Sequence, residues 1–293
     1  MQRVHLRKIM CAVDLSDRSV ATLRRAWNLA RLHGAEVVAL HVSETPPVPP
    51  GAVQRSAADV FQHLRRVVQD DASGGAVVRW VTAHGDPAIE VARHVRSAQC
   101  DLVVMGRSVP RSDEPAVGVI EETILRTTEC PVLIMPAVAG RDASAEPFRE
   151  ILCGVSSGLS TTTLRYALSF AQEFEGRLTI LNVEQDGSRG GDNHPWIQSE
   201  LDRLRAVIPD TADEWCEIDE IVARGYPAEE LGQAARRLNA DLVVMGTSGL
   251  PALVRDLGHG AFNAQALARA HLLIVPTPAA LLQGSTPAPL AHA

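Results

Sequence analysis

One stretch near the end of the chain combines glycines with hydroxyl-bearing residues, and it reads GTSGLPALVRDLGHG from Gly246 to Gly260. A glycine loop that opens onto a helix presents backbone N–H groups and the positive end of the helix dipole to a ligand. The pattern therefore predicts phosphate binding, and the simpler alternative is that the glycines only allow a tight turn. The glycines of this stretch are Gly246, Gly249, Gly258 and Gly260, and polar side chains follow two of them, at Thr247 and His259.

This loop begins at the end of the six residues DLVVMG, which occur twice in the chain, from Asp101 and from Asp241. The two copies are 241 − 101 = 140 residues apart. Four more blocks recur in the same order at nearly the same offset: KIMCAVDLS with EILCGVSSG, ALHVS with ILNVE, HGDPAIEVA with RGYPAEELG, and CPVLIMP with AHLLIVP. Because this period has the size of a whole domain, the repeat predicts two homologous domains.

The bounds of the two domains follow from where the repeated blocks begin and end. We expect the first domain at residues 1–138 and the second at residues 150–277. Residues 139–149 contain Ala, Gly and charged residues between two apolar runs, and they form the expected linker. Residues 278–293 are expected to be a flexible tail because they are rich in Pro and Ala.

Strand-like and helix-like segments alternate within each half. KIMCAVD is a short apolar run typical of a strand buried on both faces, and a helix capped by Ser16 or Asp17 is expected to reach His33. Strands that are separated by helices imply a parallel sheet with right-handed crossover connections. The sequence therefore predicts an α/β fold of two similar doubly wound domains, each a five-stranded parallel sheet flanked by helices.

Composition and charge limit the classes of partner. The net charge is −7 and the pI is near 5.8, which argues against broad contact with nucleic acid or an anionic membrane. No apolar run approaches the roughly 18 residues of a membrane span, and no secretory signal is recognisable at the start. The five cysteines form no CxxC motif and no metal-ligand spacing. We therefore expect a cytoplasmic protein with reduced thiols and no metal site of its own.

The ends of the strands are the positions that can bind a ligand. In doubly wound sheets, ligands bind beyond the carboxyl ends of the strands, where the strand order reverses. The first strand of each half ends at Asp14 and at Ser156, and the fourth strand ends at Gly106 and at Gly246. These four positions are therefore expected to line one crevice in each half.

Each half resembles a universal stress protein domain, and the chain resembles the tandem form of that family from Lys8 to Pro276. The resemblance is carried by the strand-one run ending at Asp14, the pair His41–Val42, the G-x-P motif, DLVVMG and CPVLIMP. It implies a Rossmann-like fold of the adenine nucleotide alpha hydrolase-like type. It also implies that the two fifth strands pair edge to edge across a pseudo-twofold axis, which would bury two sheet edges. Such a chain could also form a homodimer, and the sequence does not decide between monomer and dimer.

In the nucleotide-binding branch of the family, the loop after strand four reads G-x2-G-x9-G-[ST], and its glycines and hydroxyl hold phosphates. The resemblance also implies that an acid after strand one and a valine ending strand two frame the adenosine. In the second half Gly246 and Gly249 match this loop, and Gly258 comes one residue early. His259 replaces the hydroxyl and is either a phosphate donor or a solvated residue at the start of a helix. On the adenosine side, the second half has Ser156 and Val183.

The first half departs from the family pattern in the opposite way. Its adenosine side is intact, with Asp14 and Val42, whereas its loop GRSVPRSDEPAVGV keeps only Gly106 and Gly118. Val109 replaces the second glycine of the pattern. Acidic residues within the loop would repel phosphates unless Mg²⁺ intervenes, and Arg107 and Arg111 could offset them. The second half is therefore the favoured site for ATP or another adenine nucleotide with Mg²⁺.

Three functions remain open on this evidence. The first is a cytoplasmic stress-response regulator that binds an adenine nucleotide in its second domain. The alternative is a stress-linked interaction module that binds no nucleotide, since each crevice lacks part of the family pattern. The third is slow ATP hydrolysis, for which the sequence supplies no obvious general base, and we assign no catalytic residue.

Overall fold

The computed structural model of the protein describes most of both halves. The described residues are 3–14, 16, 18–43, 57–69, 75–107, 119–136, 146–155, 161–184, 201–202, 205–206, 208, 212, 215–247, 267 and 269–276. The elements of the first half are β1 (Lys8–Ala12), α1 (Arg18–His33), β2 (Glu36–Ser43), α2 (Ala57–Gln69), β3 (Val78–His84), α3 (Pro87–Ala98), β4 (Leu102–Met105), α4 (Val119–Thr127) and β5 (Val132–Ile134). Those of the second half are β6 (Glu150–Val155), α5 (Thr161–Phe174), β7 (Arg177–Glu184), β8 (Ile218–Arg224), α6 (Pro227–Leu238), β9 (Leu242–Gly246) and β10 (His271–Val275).

All ten strands belong to one sheet in the order β3-β2-β1-β4-β5-β10-β9-β6-β7-β8. Each half contributes five strands that are parallel to one another, which confirms the doubly wound α/β fold predicted from the repeat. The two halves meet where β5 pairs antiparallel with β10, with Leu133 opposite Leu273. The expected pairing of the fifth strands is therefore confirmed, and it removes two edges from the sheet.

The helices cover both faces of this sheet, and each face has its own apolar core. One core contains Leu23 of α1, Leu64 of α2 and Phe170 of α5. The other contains Val91 of α3, Leu231 of α6 and the second set of inward strand side chains. Because side chains alternate along a strand, each strand contributes to both cores, and the apolar strand runs of the sequence follow from this.

The acid that begins each copy of DLVVMG holds the start of the first strand of its half. The Asp101 carboxylate accepts a hydrogen bond from the backbone N of Lys8 at 2.9 Å. The Asp241 carboxylate accepts the equivalent bond from the backbone N of Glu150 at 3.2 Å. The aspartate is therefore repeated because both sheets need it to satisfy strand N–H groups that have no ladder partner.

Polar and aromatic side chains also join the two halves. The Arg25 guanidinium of α1 lies 4.4 Å from the centre of the Phe148 ring and donates to the carbonyl oxygen of Glu146 at 2.8 Å. Phe148 is buried, and its ring lies 5.0 Å from that of His271 in β10. Burial lowers the pKa of Arg25 to about 10. The described end of the expected linker therefore packs into the core between the halves.

Candidate functional site

The strand order creates one crevice in each half. In the first half, β1 lies between β2 and β4, and the chain leaves β1 toward one face of the sheet and β4 toward the other. Ala12 pairs with Leu40 of β2 and with Met105 of β4. Because parallel strands end at one edge, Asp14 and Val42, each two residues beyond this level, lie together at the mouth of the crevice.

Gly106 follows β4 at the same edge and faces helix α1. A Cβ atom built on Gly106 would lie 3.5 Å from the hydroxyl oxygen of Thr22, which is an ordinary contact distance. The position therefore has room for a small side chain, and what the glycine gives is an open approach to the backbone beside α1.

The Asp14 carboxylate binds the start of α1. One of its oxygens accepts hydrogen bonds from the backbone N of Ser16 at 3.0 Å and from the hydroxyl of Ser19 at 2.7 Å. Burial raises the pKa of Asp14, but the hydrogen bonds from Ser16 and Ser19 outweigh this effect, and the net pKa lies below the ordinary value. The acid that the family resemblance assigns to an adenosine thus also has a structural role, because it holds Ser16 and Ser19 in place where α1 begins.

His41 is a residue of this crevice that the sequence analysis uses to recognise the family but does not assign to the site. Its side chain is buried, and its Nδ1 atom lies 3.1 Å from the carbonyl oxygen of Val13. This contact ties the end of β2 to the end of β1 directly below Asp14. The sequence signal for His41 is a polar residue within the apolar end of the second strand. Asn182 takes the equivalent place in the second half.

Arg107, which the sequence analysis considers as an offset to acidic charge in the loop, is buried, and the acids of that loop lie outside the described residues. Only 3% of the residue is exposed, and its Nη1 atom donates to the carbonyl oxygen of Leu267 in the second half at 3.1 Å. Burial lowers its pKa to about 10, while the charge of buried Glu121 on α4 acts in the opposite direction. The residue after Gly106 therefore links the two halves.

The second crevice is built in the same way between β6 and β9. Val155 pairs with Asn182 of β7, so the next residue, Val183, comes at the level of Ser156, and it is buried. Gly246 ends β9, and it and Thr247 are half-buried at the same edge. The remaining predicted site residues lie outside the described part of the chain: Ser156, Gly249, Gly258, His259 and Gly260 here, and Gly118 in the first half.

The described residues also bear on metal, thiol and membrane chemistry. Over these ranges, no group of three or more His, Cys, Asp or Glu side chains is arranged to hold a metal ion. The five cysteines are free and buried; burial raises the pKa of the Cys153 thiol to about 12 and raises that of Cys11 as well. In the same part of the chain, no helix has both the length and the apolar character needed to cross a membrane.

Comparison with known proteins decides the family. The model of the universal stress protein family matches the chain twice, at residues 5–136 and 147–271. The chain belongs to the universal stress protein family. Its tandem organisation therefore agrees with the repeat read from the sequence.

Single-domain relatives match one half of the chain. Universal stress protein YxiE of Bacillus subtilis (strain 168) is 26% identical over 144 residues, which are 44% of this chain and 97% of that protein. A universal stress protein of Methanocaldococcus jannaschii is 25% identical over 138 residues, which are 44% of this chain and 81% of that protein.

Solved structures match the chain over nearly its whole length. The crystal structure of a universal stress protein from Archaeoglobus fulgidus DSM 4304 covers 92% of this chain and 98% of that chain, with a TM-score of 0.64 and 17% identity. At this identity the likeness establishes the tandem fold alone.

Proposed function

We propose that this protein is a regulatory universal stress protein whose second half binds an adenine nucleotide, ATP with Mg²⁺, in the crevice between β6 and β9. One observation carries the proposal. Strand β9 ends in Gly246 at the edge where the strand order reverses, and the sequence continues as Thr247-Ser248-Gly249, as the phosphate loop of the family requires. Backbone N–H groups at such a strand end bind anions without any cationic side chain.

The role of each residue in this proposal comes from its sequence position. Gly246, Gly249 and Gly258 give a ligand phosphate close access to backbone N–H groups. The Thr247 hydroxyl and the His259 imidazole are the side-chain donors. On the other side of the crevice, Val183 contacts the adenosine, and the Ser156 hydroxyl stands where the first half has the carboxylate of Asp14. Gly260 is the last glycine of this loop sequence.

The contacts of charged residues in the first half support our placing the nucleotide in the second half. Asp14 is engaged by Ser16 and Ser19, and the guanidinium of Arg107 is turned away toward Leu267. In the sequence, Val109 replaces the second loop glycine, and a valine side chain would narrow access to the backbone of a phosphate loop. We infer that the first half serves the assembly of the two halves rather than triphosphate binding.

A second candidate is an interaction module that binds no nucleotide. Two observations favour it together: Asp14 and Arg107 of the first crevice are used within the fold, and the second crevice has Ser156 where the first has its acid. Both candidates share the other parts of our proposal: a cytoplasmic protein, with domains at 1–138 and 150–277 and a self-association of two chains. Light scattering on the purified protein tests that association.

Native purification followed by denaturation tests the nucleotide. Chromatography and mass spectrometry of the released small molecules should detect an adenine nucleotide, and ATP with Mg²⁺ should raise the unfolding temperature. Gly249→Val should remove this effect, because a valine side chain blocks access to the loop backbone. Asp14→Ala is the matched control and should leave it unchanged. No released nucleotide together with no thermal shift would favour the interaction module.

A further inference from the structure

The turn between β8 and α6 has a rigid backbone that carries one exposed aromatic side chain. Gly225 has φ +152°, and a Cβ atom on it would lie only 3.0 Å from Oε1 of Glu230. The backbone N of Glu230 donates to the carbonyl oxygen of Tyr226 at 3.0 Å, and Pro227 follows in the first turn of α6. Tyr226 is therefore held in one backbone conformation, and 70% of it is exposed.

The same turn in the first half carries a different residue with a clear structural purpose. Asp86 stands in the place of Tyr226, after Gly85 with φ +136°. Its carboxylate accepts hydrogen bonds from the backbone N atoms of Ala88 at 2.9 Å and Ile89 at 3.0 Å, and so caps α3. Tyr226 makes no side-chain cap hydrogen bond to α6. The second half thus has an exposed aromatic ring where the first half has a side chain that caps its helix.

The position of Tyr226 relates it to the second crevice. Val183 pairs with Ala223 of β8, and Glu184 pairs with Arg224. Tyr226 therefore follows the carboxyl end of β8, the strand next to β7, which carries Val183 and ends at Glu184. This is the edge of the sheet where ligands of doubly wound folds bind. It is also the adenosine side of the crevice, on the opposite side of β6 from β9 and its glycine loop.

We propose that Tyr226 is the base-stacking residue of the second crevice, an inference that rests on the nucleotide binding proposed above. The second half has Ser156 where the first has Asp14, so the acid that the family resemblance places beside the adenosine is replaced by a hydroxyl. A tyrosine face supplies base affinity by stacking, at little conformational cost because the turn is rigid. Since every base has a π-face, stacking without the carboxylate gives weak discrimination between purines.

Two variants of Tyr226 separate stacking from a structural role. Tyr226→Asn removes the ring and restores a residue that caps helices, as Asp86 does for α3. Tyr226→Phe keeps the ring and removes the hydroxyl. Calorimetric titration with ATP and Mg²⁺ should give a Kd about tenfold higher for Tyr226→Asn than for the wild type and an unchanged Kd for Tyr226→Phe. The wild type should bind GTP within about fivefold of its affinity for ATP.

The outcomes distinguish failure of this inference from failure of the proposed function. Absence of ATP binding by the wild-type protein overturns both. Wild-type binding that Tyr226→Asn leaves unchanged overturns only the role of Tyr226, as does equal weakening by Tyr226→Asn and Tyr226→Phe. The unfolding temperature of Tyr226→Asn should be at least that of the wild type, since a cap is gained. Tyr226→Ser, another capping residue, is the second ring-free variant and should weaken ATP binding to the same extent.

Discussion

His271, on the strand that joins the two halves, should make the protein sensitive to acid. It is 4% exposed, and its Nδ1 atom lies 3.0 Å from the carbonyl oxygen of Asp241. Burial, reinforced by the nearby Arg25 guanidinium, lowers the pKa of His271 from 6.5 to about 3, and Arg107 acts in the same direction. The folded protein therefore keeps this histidine neutral at pH values where the unfolded chain protonates it.

The sign and size of the effect follow from this difference in pKa. Because the folded pKa is depressed, the contribution to stability is complete above the unfolded pKa of 6.5 and is lost as the pH falls toward 3. Between pH 7 and pH 5 the unfolded state gains about three-quarters of a proton at this position, and the free energy of unfolding should fall by about 2 kcal/mol. Below pH 3 the histidine should contribute no further change.

Chemical denaturation at pH 5, 6 and 7 tests this expectation. His271→Gln keeps an N–H donor and removes the titration, so its loss of stability between pH 7 and pH 5 should be smaller than that of the wild type by about 2 kcal/mol. His84→Gln is the matched control, since His84 is exposed at the end of β3, and it should follow the wild type. Equal pH dependence of wild type and His271→Gln would refute the reasoning.

Three further outcomes follow from the packing. Phe148→Ala should lower the free energy of unfolding by about 3–5 kcal/mol, because it empties a buried site between the halves, and chemical denaturation measures this. Asp86→Ala should lower the free energy of unfolding by about 1 kcal/mol, because it removes the cap of α3. In the same assay Tyr226→Ala should lower it by less, because Tyr226 makes no side-chain cap hydrogen bond to α6. The five buried cysteines should react with a thiol reagent only after denaturation, and fast reaction of Cys153 in the native protein would contradict its raised pKa.

The fold could be predicted because the sequence contains it twice. Apolar strand runs and residues that start or stop helices are local signals. Helix α3, for example, spans Pro87–Ala98 and has a proline in its first turn. It ends at Gln99, which has a left-handed backbone conformation. Repetition then fixes which segments are equivalent. The pairing of β5 with β10 was expected from the family resemblance, and no local pattern of residues requires it.

The direction of individual side chains could not be predicted. Arg107 follows a loop glycine in the sequence, and only the packing of the second half shows that its guanidinium turns to Leu267. The aspartates of DLVVMG are recognised in the sequence only as part of the repeat, because their hydrogen bonds to the backbone of Lys8 and Glu150 are long-range. The exchange of Asp86 for Tyr226 is visible in the aligned repeats, but its meaning needs the cap geometry and the exposure of the ring.

The stoichiometry of nucleotide binding tests the central claim most directly. Titration of the full chain with ATP and Mg²⁺ in a calorimeter should give about one site per chain. Gly249→Val should abolish that site, and Asp14→Ala should leave it intact. No site at all, or a site that is lost with Asp14→Ala and kept with Gly249→Val, would contradict the assignment of the nucleotide to the second half.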